Sequence, residues 1–269
     1  MNSFWNSFLS FWPEAVTAIV AVLALFRPEI GKLFRRWTNK LSVFPTARLE
    51  VGFAEFGPTI GLFGSMVAES NDQLILDMNV IVTRERDNAT HVFSWGVFRS
   101  PNLAQTLDKA EFHAASAFTI KQNEAKLLNV QFHDTNTRDR YRDILLGYQE
   151  QFFQFAQQHK LSLVPKPEVQ SETRKQFESA NPNATSTAWA RIKDEFYWEA
   201  GKYRCRLSVR TSNPEKEFKY EWMFSLSERE VDSLRPNIIS LMDSARGALQ
   251  TPYNFVFPLI QNYKSPSKP

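Results

Sequence analysis

Hydrophobic and polar residues alternate through much of the chain after Thr46, as they do in strands that bury one face. The period of two is clearest in the segment Leu74–Thr83, in which every second residue from Leu74 onward is apolar. Turn sequences such as Gly57-Pro58 separate this segment from similar ones. Before residue 134 the pattern predicts strands at Arg48–Phe53, Thr59–Glu69, Leu74–Thr83, His91–Phe98, Glu111–Ile120 and Leu127–His133.

Short strands at nearly even spacing favour two packed sheets. We therefore predict a β-sandwich over residues 46–134, similar in outline to immunoglobulin domains. Because Cys205 is the only cysteine, the disulfide of antibody domains is excluded. The similarity is one of fold and implies no activity.

After Asp134 the hydrophobic period changes to that of a helix. Apolar residues recur at three- and four-residue spacing across Thr137–His159, which predicts an amphipathic helix. Prolines among polar residues then indicate a long surface connection over 162–183, with one short helix at Glu172–Glu178. A further short helix is indicated by the spacing of Trp189, Ile192 and Phe196.

The clearest alternation in the chain predicts a β-hairpin near its C-terminal end. Ser227 and Glu230 then have the spacing of a capping box ahead of another helix. Residues 135–262 are thus predicted to form an α+β portion, followed by a disordered tail at 263–269, and the predicted fold class is α+β, mainly β. The buried face of the hairpin is predicted to consist of Tyr203, Cys205, Leu207, Val209, Phe218, Tyr220, Trp222, Phe224 and Leu226.

Residues 1–44 have a different pattern, which predicts a membrane anchor with a basic juxtamembrane segment. Between Phe4 and Phe26 only Glu14 is charged. A helix over this stretch would be about 34 Å long, enough to cross the hydrocarbon core of a bilayer. The basic segment that follows has apolar residues at helical spacing and predicts an amphipathic helix at the interface. The anchor residues singled out are Trp12, Ala15, Val20, Leu23, Phe26, Arg35 and Arg36.

Charge asymmetry gives the anchor an orientation. No Lys or Arg occurs up to Glu14, whereas five follow the apolar run by Lys40. The positive-inside rule then predicts a single-pass protein of the cell inner membrane, with the N-terminus outside and the body in the cytoplasm. The layout resembles the N-terminal anchors of bacterial inner-membrane proteins, a resemblance that implies a location but no activity.

Other interpretations of the apolar run differ in how well they fit. A signal peptide is disfavoured because no positive charge precedes the run. An interfacial helix that does not cross the bilayer and a buried core helix both stay open.

Composition excludes several functional classes. The chain has 269 residues, 43% hydrophobic and 23% charged, with a net charge of +3, which is typical of a folded protein and not of a strongly basic nucleic-acid binder. One cysteine excludes a cysteine-cluster zinc site. The phosphate-loop, H-E-x-x-H and G-x-S-x-G motifs are absent from the sequence. We therefore predict no cofactor, no metal and no nucleic-acid partner.

The histidines and the cysteine give only weak candidates for chemistry. His133 precedes Asp134, but neighbouring residues of a strand point to opposite faces, so cooperation between these two is not expected. His91 and His113 could bind a metal only if their strands brought them together. Cys205 lies on the apolar face of the hairpin and is predicted to be an inert buried thiol.

The polar face of the hairpin carries a basic stripe, Lys202, Arg204, Arg206 and Arg210. Its spacing of about 7 Å per step suits phosphates or anionic lipid headgroups. A simpler interpretation is an ordinary solvated face, partly neutralised, with Lys219 and Glu221 opposite the stripe on the other strand.

Two functional hypotheses follow. The first is a membrane-tethered cytoplasmic binding or assembly protein without catalytic activity of its own, whose partners are the lipid bilayer and either another protein or a second copy of the chain. The second is a membrane-associated enzyme whose site converges only in the fold.

Overall fold

A computed structural model of the chain describes residues 39–99, 112–161, 167–212, 215–246 and 252–264. The fold is α+β and mainly β, as predicted: one curled antiparallel sheet with helices at one end. The strands are β1 Leu41–Ala54, β2 Gly57–Ala68, β3 Gln73–Arg84, β4 Thr90–Arg99, β5 Phe112–Ala114, β6 Phe118–Ile120, β7 Ala125–His133, β8 Gly201–Ser212, β9 Lys216–Leu226, β10 Phe255–Val256 and β11 Gln261–Lys264. The helices are α1 Thr135–Gln158, α2 Pro167–Ala180, α3 Pro182–Asp194, α4 Glu228–Leu234 and α5 Asn237–Ala245.

All these strands belong to a single hydrogen-bonded sheet. Its order is β10-β1-β2-β7-β4-β3-β8-β9-β11, with β5 paired to β4 and β6 paired to β3. The predicted C-terminal hairpin therefore continues the sheet of the N-terminal strands, because β8 pairs with β3 along nearly its whole length. An immunoglobulin-like sandwich, which needs two separate sheets, is not confirmed.

The C-terminal segment bridges the two long edge strands. Its first part, β10, pairs with β1, and its last part, β11, pairs with β9. The Tyr220 hydroxyl on β9 also donates a hydrogen bond to the Leu41 carbonyl on β1. Curling brings these edges together, so both are covered along part of their length, as exposed strand edges usually are in soluble proteins.

The inner face of the curled sheet holds the core. The predicted buried face of the hairpin is confirmed, from Tyr203 to Leu226, and each of its residues lies in the core cluster. On β3 the residues Ile75, Met78, Val80 and Val82 point inward, and a register shift between Ile75 and Asp77 changes the alternation there. The predicted inward positions Leu74 and Leu76 are therefore wrong: Leu74 is half-buried and Leu76 exposed.

Local helix signals are also confirmed. The predicted helix over Thr137–His159 is α1, and the capping box of Ser227 and Glu230 begins α4. The predicted short helix at Glu172–Glu178 lies within the longer α2. The predicted surface connection over 162–183 is therefore wrong, because Pro167–Ala180 is helical, Phe177 is buried, and α3 begins at Pro182. Trp189 and Ile192 lie on α3, whereas Phe196 follows its end.

The sheet has two distinct ends. The helical end carries the β1–β2 turn, the C-terminus of β7 and the helices α1, α3 and α5, which contact one another. At this end Trp198 Nε1 donates to the Gly52 carbonyl over 2.7 Å. We call the opposite end, where residue 39 leads into β1, the Asn39 end.

The predicted anchor residues, from Trp12 to Arg36, all lie outside the described residues. Within the described ranges, none of the helices combines the length and the hydropathy needed to cross a bilayer.

Candidate functional site

A cleft of about 390 Å³ opens at the helical end, between α1, α5 and the β1–β2 turn. Its walls combine apolar side chains with two guanidinium groups and one carboxylate, that of Glu55. The cleft is lined by Glu55 and Phe56 of the turn, by Arg138, Tyr141, Arg142, Leu145, Leu146 and Gln149 of α1, and by Leu241, Ser244 and Ala245 of α5.

The sequence of α1 places one of its faces in the core and a neighbouring face in the cleft. Tyr148 and Phe152 are buried and pack against Phe177 of α2. Arg138 and Arg142 lie four residues apart, so successive turns bring their side chains to the same wall. Because the apolar face of α1 packs in the core, the neighbouring face that lines the cleft carries the two arginines.

The two arginines differ in their partners. Arg138 forms an ion pair with Asp139 at 2.9 Å, beside it on the helix. Among the described residues, no acidic side chain forms an ion pair with Arg142, which is exposed. A guanidinium can bind a carboxylate or phosphate through two parallel hydrogen bonds. This wall is therefore suited to an anionic group.

Apolar side chains stand exposed at the mouth of the cleft. Phe56 is 47% exposed and Leu146 is 48% exposed. Large exposed apolar groups around a concavity are typical of surfaces that bind another molecule. The cleft therefore suits a ligand that carries a negative charge next to an apolar body.

His133 lies behind Phe56, with the two ring centroids 5.1 Å apart. The hydroxyl of Thr59 donates to the Gly57 carbonyl, so it accepts from His133 Nδ1 over 3.1 Å. Nε2 is then the unprotonated nitrogen, and among the described residues it has no hydrogen-bond partner. Burial, together with the nearby Arg138 charge, lowers the pKa of His133 to about 4, so the ring is neutral near pH 7.

Asp134 binds a different histidine. Its Oδ2 lies 2.5 Å from His91 Nδ1 and accepts a hydrogen bond from the Thr137 hydroxyl at 2.6 Å. Its Oδ1 caps α1 by accepting from the Thr137 backbone N–H. Burial alone would raise the pKa of Asp134, but the hydrogen bonds from His91 and Thr137 outweigh it and hold that pKa below its ordinary value. As expected, His133 and Asp134 do not act as a pair.

The structure separates the other histidine candidates. His91 lies near the start of β4, whereas His113 of β5 pairs with Phe98, seven residues further along β4. At about 3.3 Å per residue the two imidazoles lie on the order of 20 Å apart and cannot share a metal. Among the described residues no group of three metal-ligating side chains occurs. Cys205 is a buried thiol whose pKa is raised by burial, as predicted from its position.

The basic stripe lies on the outer face of β8. Arg204 contacts both Glu85 and Glu221 at 3.6 Å, Arg206 contacts Glu221 at 3.4 Å, and Arg210 contacts Asp77 at 3.8 Å. Lys202 is exposed beside them. These long, half-exposed ion pairs partly neutralise the stripe, as the simpler interpretation of the sequence expected. Contact with an anionic surface stays a prediction.

The cleft was not predicted from the sequence. In the sequence, Arg138 and Arg142 belong to the polar face of a predicted helix, and Phe56 lies in a predicted turn. The only local signal was an aromatic residue next to Gly57-Pro58 in a turn, which is too common to identify a site. A scan against protein-family models and searches of curated proteins and of solved structures found no match.

Proposed function

We propose that the chain is a membrane-tethered cytoplasmic binding or assembly protein without catalytic activity of its own, and that the cleft at its helical end is the partner site. The observation that carries the proposal is the meeting of two guanidinium groups and two exposed apolar side chains around one concavity. The tether is the segment before residue 39, with its apolar run and its basic flank.

The chemistry of the cleft defines the class of partner. Arg142 is available to a carboxylate, and Arg138 can exchange its exposed contact with Asp139 for one. Phe56 and Leu146 offer apolar area beside these cations. A protein segment that presents an acidic residue next to large apolar side chains would satisfy both parts of the site.

The position of the cleft fits this role. The chain enters β1 at the Asn39 end, and the cleft lies at the opposite end of the sheet. A body tethered through residue 39 would therefore present the cleft away from the bilayer, where a cytoplasmic partner can reach it. Tethering would also raise the effective concentration of the cleft toward partners at the same membrane.

A membrane-associated enzyme is the second candidate, because His91 and Asp134 form a histidine–carboxylate pair of the kind that serves in general base catalysis. The His91 side chain is 21% exposed, and its ring packs on Tyr197 with 3.8 Å between centroids. The cleft is not lined by either member of the pair. The binding hypothesis is stronger because its residues surround a concavity.

Affinity purification of the full chain in mild detergent, followed by mass spectrometry, tests the proposal. The variant Arg138→Glu/Arg142→Glu should lose the partner that the unchanged protein retains, because both cations of the cleft are reversed. A matched control, Lys175→Glu/Arg229→Glu, reverses two exposed charges on α2 and α4 and should retain it. Equal retention by all three chains contradicts the assignment of the cleft.

The tether has its own test in intact cells. A cysteine at Ser3 should react with a membrane-impermeant maleimide, whereas one at Ser265 should not. Cys205 is buried and gives no background while the protein is folded. The reverse pattern would exclude a cytoplasmic body.

A further inference from the structure

The outer face of the sheet carries exposed apolar side chains near the Asn39 end. Phe44 of β1 is 54% exposed and Leu127 of β7 is 59% exposed. Phe44 lies opposite Ser65 of β2, and Ser65 lies opposite Leu127. With strands about 4.8 Å apart, Phe44 and Leu127 stand about 10 Å from each other on one surface, separated by a small side chain.

Two further residues of β2 extend this surface. Phe63 and Val67 lie two positions either side of Ser65, so they share its face, and both are half-buried. We call Phe44, Phe63, Val67 and Leu127 the outer-face patch. Sheet faces turned to water are normally polar, so these positions need another explanation.

The chain is held firmly where it enters the sheet. Asn39 is 1% exposed, and its side-chain amide exchanges hydrogen bonds with that of Gln73. Lys216 Nζ donates to the Asn39 carbonyl over 2.9 Å. Because β1 begins at Leu41, the last residues of the predicted anchor segment 1–44 belong to the sheet, and its basic part leads directly into the fixed residue 39.

The short length of chain on either side of Asn39 limits how far the bilayer can lie from Phe44. Phe44 follows Asn39 by five residues, at most about 18 Å of extended chain. A bilayer that holds the basic segment as far as Arg36 is within about 11 Å of Asn39 by the same measure. The outer-face patch is an exposed apolar surface of the described residues close to that point, and it is larger than the single exposed side chain of Leu76 on β3.

We propose that the outer-face patch lies against the lipid bilayer beside the anchor, with Phe44 and Leu127 in the interfacial region. The inference rests on the proposed function, because it requires the segment before residue 39 to be in the membrane. It adds an orientation: β1, β2 and β7 face the lipid, and the cleft faces away from it.

Charges around the patch indicate which lipids it needs. Exposed near it at the same end are the cations Lys40, Lys121 and Lys126 and the anions Glu69, Asp72 and Glu124. The Arg99 guanidinium lies over the Phe63 ring, 5.8 Å from its centroid, and is paired with Glu50. The two signs balance, so attraction to anionic headgroups contributes little. The contact is therefore apolar and is expected with neutral and anionic bilayers alike.

The test uses the full chain in vesicles whose lipids carry a nitroxide at the headgroup. Single variants Phe44→Cys, Leu127→Cys and Leu146→Cys are labelled with an environment-sensitive fluorophore, and Cys205 is too buried to react. Leu146 is the matched control, a leucine 48% exposed at the helical end. We expect the nitroxide to quench the labels at 44 and 127 several-fold more than the label at 146, with phosphatidylcholine alone as with added anionic lipid.

The other outcomes overturn the inference in distinguishable ways. If the chain floats with the vesicles but quenching is weak and equal at all three positions, the proposed orientation is contradicted and the tether is not. Disulfide cross-linking of Phe44→Cys between chains assigns the patch to a second copy instead. Quenching that requires anionic lipid overturns the apolar mode of contact. If the full chain does not float with the vesicles, the proposed tether is contradicted, and so is the inference that rests on it.

Discussion

The two ends of the sheet are built from the same strands but have different surfaces. At the helical end the strand ends are covered by α1, α3 and α5, and two guanidinium groups and the apolar side chains of Phe56 and Leu146 surround a cleft. At the Asn39 end the chain is fixed by a buried pair of amides, and the outer face carries an apolar patch among charges of both signs. One scaffold can therefore separate attachment from recognition.

The interior shows why this separation is stable. A single core cluster runs from Leu41 at one end through Trp222 to Leu241 of α5 at the other. Because the same packed residues support both ends, neither is expected to unfold without the other.

Removing a large side chain from the shared core should affect both ends together. Trp222 is 1% exposed, so Trp222→Ala should lower the free energy of unfolding by about 3 to 5 kcal/mol. Urea denaturation followed by circular dichroism measures the change. Met223→Ala, the next residue along β9 and half-buried on the outer face, is the control and should cost far less. Two separate transitions in the Trp222 variant would show that the ends fold independently.

Acid should destabilise the helical end through His133. Its folded pKa of about 4 is below the ordinary 6.5, so the unfolded chain binds the proton first and stability falls as pH drops from 6.5 to 4. The full loss amounts to about 3 kcal/mol. Asp134, whose pKa is also lowered, adds a second loss at pH values below its ordinary 3.8.

The variant His133→Asn isolates the contribution of this histidine. Its amide can still donate to Thr59 but does not titrate, so unfolding free energy should change much less between pH 6.5 and 4. Hydrogen exchange of the first turn of α1 is a local measure of the same effect. An unchanged pH dependence would assign the acid sensitivity to other groups.

Patterns close together in sequence predicted more of this molecule than contacts between distant segments. The β8–β9 hairpin and the capping box of Ser227 depend on residues a few positions apart, so alternation and spacing are sufficient to identify them. The single sheet was not predicted, because β3 and β8 read as strands in any arrangement and nothing local specifies that Val80 pairs with Leu207.

The candidate site illustrates the same limit. Asp134 contacts His91, 43 residues away, and not its neighbour His133. Arg142 and Leu241 line the same cleft only because α5, which follows β8 and β9 in the chain, packs beside α1. Hydrophobic periodicity shows which face of a helix is buried but not which element stands opposite its polar face.

The buried amides at the Asn39 end should contribute a smaller but measurable amount. In Asn39→Ala the side-chain oxygen of Gln73 loses its donor inside the protein, which should cost about 1 to 3 kcal/mol. The double variant Asn39→Leu/Gln73→Leu removes both polar groups and should recover part of that loss. If the double variant is no more stable than the single one, the amide pair contributes through its own hydrogen bonds and not by avoiding an unsatisfied group.

The smallest effect on folding is expected on the outer face between the two ends. The variant Arg204→Glu/Arg206→Glu removes the half-exposed ion pairs that these arginines form with Glu85 and Glu221. Such pairs contribute about 0 to 1 kcal/mol each. Three such contacts are lost and new glutamates stand opposite Glu85 and Glu221, so the free energy of unfolding should fall by about 1 kcal/mol. Binding to anionic liposomes is the separate measurement: it should weaken if the basic stripe contacts headgroups, because two cations become anions.

Liposome binding of a second variant shows whether the loss is specific to the basic stripe. Lys175→Glu/Arg229→Glu changes the net charge by the same amount on α2 and α4, so it controls for the overall loss of positive charge. If only the Arg204/Arg206 variant binds anionic liposomes less tightly, the basic stripe of β8 contacts headgroups. If both variants bind equally well, the stripe is a solvated face whose arginines are neutralised by Glu85 and Glu221.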